Sequence, residues 1–171
     1  MMHQDEPSGP DLDGVVADAN AVGLRYVVIG GFSVIANGFI RATKDSDLLV
    51  PDGRETDEAI VRFLERIEAT RLHDGRTLDL NDVLDAHHVR VRSKHGIVDI
   101  MRGGLPPLDY ETVDRHAMDA EVGGNSARVA GLRSIVGFKR LAGRPQDKRD
   151  LEELESFHGE LPIESIPGLD S

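Results

Sequence analysis

Val27-Val28-Ile29-Gly30-Gly31-Phe32-Ser33 is followed closely by Arg41-Ala42-Thr43-Lys44-Asp45-Ser46-Asp47-Leu48-Leu49-Val50, and the reading of these two stretches decides the fold. The first is an apolar, β-branched run that stops at two glycines. The second opens with two aspartates one residue apart and ends apolar. Side chains on a strand alternate between faces, so Asp45 and Asp47 point to the same side. Two carboxylates side by side repel unless a positive group sits between them, and an oxygen-liganded Mg²⁺ or Mn²⁺ would serve. A Gly-Gly turn nearby lets backbone N–H groups approach a phosphate closely. These parts read together as a metal–nucleotide site.

The chain has 171 residues, enough for one domain with a workable core. It lacks cysteine, which excludes disulfides and thiolate metal sites. It carries no apolar run long enough to span a membrane and no secretory pattern at its start, so the expected location is cytoplasmic, with no membrane partner. A net charge of -11 argues against a broad duplex-DNA footprint. One basic segment stands out. Residues 131–149 hold Arg133, Lys139, Arg140, Arg144, Lys148 and Arg149 against the single acid Asp147. It reads either as a solvated helical face or as a cradle for a triphosphate or an RNA end.

Periodicity organises the rest. Residues 1–10 are polar with Pro and Gly and are expected to be disordered. Residues 11–158 form a single domain, of which 131–158 is a C-terminal helical segment, and 159–171 a loose tail. Leu12, Val15, Val16, Ala19 and Val22 recur at helical spacing. Residues 55–70 are strongly amphipathic, with Ile60, Val61, Leu64 and Ile67 inward. Residues 32–37 read as a short helix, and 72–85 stay ambiguous. Residues 88–94 alternate as a strand, and His95-Gly96 reads as a hairpin turn into a strand over 97–101. A short helix over 110–116 and a hairpin around Gly123-Gly124-Asn125 follow. Helices over 132–141 and 145–157 join at Gly143. This order predicts an α/β (α+β) domain: one mixed sheet, helices mainly on one face, and the C-terminal helical segment.

Gly30-Gly31, then Asp45-Ser46-Asp47, then Asp99 on a later strand, with the lead-in Arg41-x-Thr43-x-Asp45, resembles the minimal nucleotidyltransferase family of the DNA polymerase beta-like superfamily. Phe138-Lys139-Arg140-Leu141-Ala142-Gly143-Arg144-Pro145-Gln146-Asp147-Lys148-Arg149-Asp150-Leu151 is similar to the C-terminal segment of bacterial AbiEii-type toxins. The resemblance spans residues 25–155. Ser46 departs from it, since an aliphatic residue is commoner there, and this bears on packing behind the strand.

The resemblance implies a Mg²⁺- or Mn²⁺-dependent transferase that moves an NMP group from an NTP such as ATP to a hydroxyl on RNA, a protein or a small molecule. Catalysis then consists of positioning and charge neutralisation. In the two-metal form of this chemistry, with ions about 4 Å apart, Asp45 and Asp47 would bridge both and Asp99 would hold the one nearer the attacking hydroxyl. Gly30, Gly31 and Ser33 would hold phosphate oxygens, and Arg41 and Thr43 would belong to the nucleotide site. The resemblance also implies a toxin–antitoxin or phage-defence setting, with a protein partner encoded in the same operon. The alternative is a regulatory or nucleotide-sensing protein that keeps the fold without catalysis.

Several residues carry a second reading. Were His95-Gly96 a two-residue turn, Arg92 would sit opposite Asp99, which would then be half of a cross-strand ion pair. Lys139 shares a helical face with Leu132, Ile135 and Val136. It is either a snorkelling surface lysine or a phosphate contact oriented by Asp147. Asp147 and Asp150 also fall in the first turns of a helix, where acids are stabilising in any case. His87 and His88 face opposite ways on a strand and make no chelating pair. No role is assigned to His73, His95 or His116.

Overall fold

A computed structural model describes residues 10–36, 43–84 and 86–170. Within them, α1 (Leu12–Ala21) is capped by Asp11, whose Oδ1 accepts from the Gly14 N–H at 3.1 Å. The chain then forms β1 (Val27–Ile29), α2 (Gly30–Ala36), β2 (Asp45–Val50) and α3 (Arg54–Arg66). β3 (Thr70–Arg71), α4 (Leu80–Val83), β4 (His88–Ser93) and β5 (Gly96–Arg102) follow. After α5 (Tyr110–Arg115), the hairpin β6 (Met118–Val122) and β7 (Asn125–Val129) leads to α6 (Leu132–Ala142) and α7 (Pro145–His158). Among the described residues the seven strands form one sheet, in the order β3-β4-β5-β2-β1-β7-β6. β2 runs parallel to β5 and β1 parallel to β7, while the other pairs are antiparallel.

Alternation along the central strands builds two cores. Val28, Leu48, Val50, Val98 and Ile100 point to one face, where α1 and α3 pack with Val15, Val16, Ile60 and Phe63. Val27, Ile29 and Leu49 point to the other, against Tyr110, Val113, Ile135 and Leu154 of α5, α6 and α7. The two longest N-terminal helices thus share one face, and the C-terminal helical segment covers part of the other. A buried arginine links the first core to the sheet. Arg102 at the end of β5 pairs with Asp57 of α3 and donates to the Ala86 and Val83 carbonyls at 2.9 and 2.7 Å.

Four details differ from the sequence expectations. The β4–β5 turn is Lys94-His95, with Gly96 at φ +90 just after it. Glycine takes that left-handed position at no steric cost, and Gly96 is the first paired residue of β5, opposite Ser93, rather than part of the turn. The register therefore shifts by two, and Arg90, not Arg92, stands opposite Asp99. α3 ends at Arg66, not residue 70, because Glu68 at φ 57 turns the chain so that Thr70 joins the sheet edge. The ambiguous stretch 72–85 contains α4, started by a capping box between Asp79 and Asp82. The C-terminal tail is not loose. Arg140 pairs with Asp170 at 2.6 Å, Arg133 pairs with Glu164 at 3.0 Å, and Ile166 is buried.

Ser46, the departure noted in the sequence, faces the α1–α3 core. It is fully buried, and its hydroxyl has no hydrogen-bond partner among the described residues. A buried unpaired hydroxyl costs stability, whereas a methyl group in its place leaves no polar debt. Ser46→Ala is expected to stabilise the protein by about 1 kcal/mol, seen as a melting temperature higher by about 2–4 °C. A lower melting temperature would show that the hydroxyl is satisfied.

Candidate active site

The site forms where β2 and β5 lie side by side. Their parallel register sets Asp47 beside Asp99, with Asp45 two residues earlier on the same face. Carboxylate oxygens of Asp45, Asp47 and Asp99 fall within 4.8 Å of one another. β1 lies on the other side of β2, with Ile29 opposite Asp47, and the chain leaves β1 directly into α2. That junction requires Gly30. Its φ is +70, and a Cβ there would collide with the Asp47 carboxylate. The glycine brings the backbone against the acid.

The acids are only partly compensated. Arg90 Nη1 donates to Asp99 Oδ2 at 2.6 Å and to Asp45 Oδ2 at 3.2 Å. His88 Nε2 lies 2.7 Å from Asp99 Oδ1. Asp45 Oδ1 is buried without a hydrogen-bond partner among the described residues. Burial, then the charge and hydrogen bond of Asp99, then Asp45 push the Asp47 carboxyl up to about 7, and Arg90 only partly offsets them. An all-oxygen donor set with an orphaned carboxylate oxygen fits a hard divalent cation such as Mg²⁺ or Mn²⁺.

A cleft of about 740 Å³ opens over these residues, within the range of small-molecule sites. Gly30, Gly31, Ser33, Thr43 and the three acids line one side, and Lys139 of α6, Arg144 just before α7 and Asp147 of α7 line the other. Lys139 is buried. Its ammonium lies 3.1 Å from Asp147 and 3.0 Å from Asp150, both also buried. Arg144 Nε reaches Asp147 Oδ2 at 2.7 Å, while the Arg144 side chain stays 72% exposed. Burial works to raise the Asp147 carboxyl, but hydrogen bonds from Arg144 and Lys139 outweigh it and hold it below the usual range.

Of the residues expected in the site, Asp45, Asp47, Asp99, Gly30, Gly31, Ser33, Thr43, Lys139 and Asp147 all line this cleft. Arg41 lies outside the described residues. The Ser33 hydroxyl donates to the Gly30 carbonyl at 2.6 Å, and that of Thr43 to the Asp45 carbonyl at 3.2 Å, so both brace local backbone. Lys139 is no snorkelling surface lysine. Asp150 does more than favour a helix N-terminus, since it shares the buried ammonium with Asp147. The basic segment divides, because Arg133 and Arg140 hold the C-terminal residues and do not line the cleft.

Sequence reasoning missed Arg90 and His88. His88 is diagonal to Asp99 across the hairpin, and only the true register reveals it. His95 likewise gains a role, a structural one. It ties the hairpin to α1 through Asp18 at 2.6 Å and Asp11 at 3.4 Å.

Solved structures that share this architecture include an antibiotic adenylyltransferase and a nucleotidyltransferase-like protein. The antibiotic-resistance factor ANT(2'')-Ia in solution superposes with a TM-score of 0.60 at 13% identity, over 86% of this chain and 82% of that one. The lincosamide antibiotic adenylyltransferase LnuA, solved with lincomycin bound, gives 0.59 at 14% identity over 85% and 95%. A nucleotidyltransferase-like protein from Paracoccidioides brasiliensis gives 0.57 at 14% identity over 92% and 76%. No protein-family model and no curated protein sequence matches the chain. Likeness at this identity establishes that the chain has the nucleotidyltransferase fold.

Two predictions come from these charges. A carboxyl raised by folding favours the protonated native state. Its stabilising contribution is complete below the ordinary carboxylate range and is lost as pH rises through about 7. In EDTA, wild-type stability is therefore expected to fall between about pH 4 and pH 7 relative to Asp47→Asn. Melting curves of both proteins across that window check this, and parallel curves would refute it. Lys139→Ala removes the ammonium shared by two buried carboxylates, leaving Asp147 to Arg144 and Asp150 to the neutral Gln146 amide, and is expected to destabilise the fold by about 3–5 kcal/mol, measured by urea unfolding. A loss under about 1 kcal/mol would mean that the corner is wet and the pair marginal.

Proposed function

We propose that this chain transfers a nucleoside monophosphate group from an NTP to a hydroxyl acceptor, using Mg²⁺ or Mn²⁺. The observation that carries this reading is the two-sided cleft. Three converging carboxylates line one wall, and Lys139 of α6 and Arg144 at the α6–α7 junction line the other, in a fold shared with nucleotidyltransferases. A nucleoside triphosphate brings its own polyanion, which suits a site with a cation-holding wall and, facing it, the exposed guanidinium of Arg144.

In this reading Asp45 and Asp47 hold the divalent cation, which when bound supplies Lewis-acid charge to the reacting phosphate. Gly30 and Gly31 present backbone to the phosphates beside Ser33 and Thr43, with Lys139 and Arg144 opposite, and the Arg41-x-Thr43-x-Asp45 pattern assigns Arg41 to the nucleotide as well. The acceptor oxygen forms a bond to the α-phosphorus, and the bond from that phosphorus to the pyrophosphate oxygen breaks. The acceptor proton passes to the carboxylate wall, where Asp99 faces the cleft. Little covalent work is asked of the protein, which positions the groups and balances their charge.

A small hydroxyl-bearing molecule is the first acceptor to test, by likeness to the lincomycin-bound LnuA and to ANT(2'')-Ia in complex with adenylyl-2''-tobramycin. An RNA end and a protein side chain are the other arms. The segment 138–151 supports an AbiEii-like toxin–antitoxin or phage-defence setting, with a cytoplasmic enzyme and an operon-encoded partner. Among the described residues no helix is long and apolar enough to cross a membrane.

Purified protein incubated with Mg²⁺, each labelled NTP and each acceptor class is expected to release pyrophosphate and label one class. Asp45→Asn and Asp47→Asn should each lower this by at least about a thousandfold, the value of several kcal/mol of transition-state charge stabilisation, with the circular dichroism spectrum unchanged. NTP binding without pyrophosphate release from any acceptor would replace the enzyme with a nucleotide sensor. Absence of NTP binding would leave only a regulatory role.

A further inference from the structure

We infer that Arg90 is a built-in cation of the acid cluster, so that this chain holds one divalent cation where the three-acid pattern alone implies two. The inference rests on the cation-binding reading of Asp45 and Asp47 and goes beyond it. One guanidinium nitrogen, Arg90 Nη1, sits between two carboxylates, 2.6 Å from Asp99 Oδ2 and 3.2 Å from Asp45 Oδ2. His88 Nε2 takes the other Asp99 oxygen at 2.7 Å. Both oxygens of Asp99 are thus engaged by protein groups, whereas Asp45 Oδ1 remains without a partner among the described residues.

The placement is built into the sheet. Arg90 stands directly opposite Asp99, and a slip of one residue would carry the buried Val89 and Val91 out of the core. Arginine stays charged at any physiological pH and is the side chain suited to bridging carboxylates. Three carboxylates and one guanidinium leave two negative charges, the complement of a single divalent cation. A second divalent cation at Asp99 would meet the guanidinium at contact distance, and like charges so close in a half-buried site repel strongly. Arg90 thus supplies, permanently and on the side of Asp99, the charge that a second metal ion supplies elsewhere.

The test counts bound ions, independently of activity. The full chain, stripped with EDTA and exchanged into metal-free buffer, is titrated with Mn²⁺, and free Mn²⁺ is read by electron paramagnetic resonance. Wild type is expected to bind one ion. Arg90→Gln should bind a second at least about tenfold more tightly than any second ion on wild type, since a neighbouring positive charge has gone. Arg90→Lys should keep the count at one. Asp99→Asn in the wild-type background should also leave the single ion in place, so the inference stays testable if Arg90→Gln misfolds. Two tight ions on wild type, an unchanged count in Arg90→Gln, or loss of the ion in Asp99→Asn overturns the inference while the nucleotidyl-transfer reading stands. No bound Mn²⁺ in any sample overturns the inference together with the cation-binding reading.

Discussion

Asp47 and Asp99 are neighbours because β2 and β5 run in parallel and in register, and this pairing of like charges is the constraint around which the site is organised. Carboxylates on adjacent strands resist ionising together, and burial adds to the cost. The cost is met from elsewhere. Beneath the acids, on the other face of the same strands, Leu48, Val50, Val98 and Ile100 are buried against α1 and α3. That core holds the two strands together whatever the charges above them do. Folding energy from apolar burial thus maintains an electrostatic arrangement that would not assemble by itself.

The opposite wall of the cleft follows the same logic with the signs rearranged. Lys139 is buried between Asp147 and Asp150, and Arg144 adds a second cation to Asp147 from the cleft side. This corner joins α6 to α7 and fixes where positive charge faces the acids. A buried ion cluster is a poor source of net stability, but it specifies geometry wherever every member is paired. The residues beyond α7 support it from outside, with Arg133 and Arg140 binding Glu164 and Asp170. Much of the basic segment therefore serves to seat the wall, and Lys139 and Arg144 are its members at the cleft.

What could be read in the sequence was whatever depends on consecutive residues. Alternation along 45–50 set Asp45 and Asp47 on one face, and the two glycines after Ile29 marked a chain reversal near them. Helical spacing identified Ile60, Leu64 and Ile67 as inward, although Phe63, fully buried, was missed beside them. The hairpin around Gly123-Gly124 was legible because both glycines take the positive φ that a two-residue turn of this hand requires. The β4–β5 hairpin was harder, since a glycine can sit in a turn or just after it, and the local sequence does not distinguish the two. Because a strand repeats every two residues, that two-residue error kept an arginine opposite Asp99 and changed only which one.

The sequence by itself determined the type of chemistry available: two acids on one strand face, a third on a later strand, glycines at the turn and a basic segment near the end. Only the tertiary structure decided how those charges pair. Arg90 bridges Asp45 and Asp99, His88 reaches Asp99 on the diagonal, and Asp150 joins Asp147 at Lys139. The physical reason is distance along the chain. Periodicity orients a side chain within its own element, but the partner it meets depends on strand register and helix docking, which are set by cores built from residues far away in sequence.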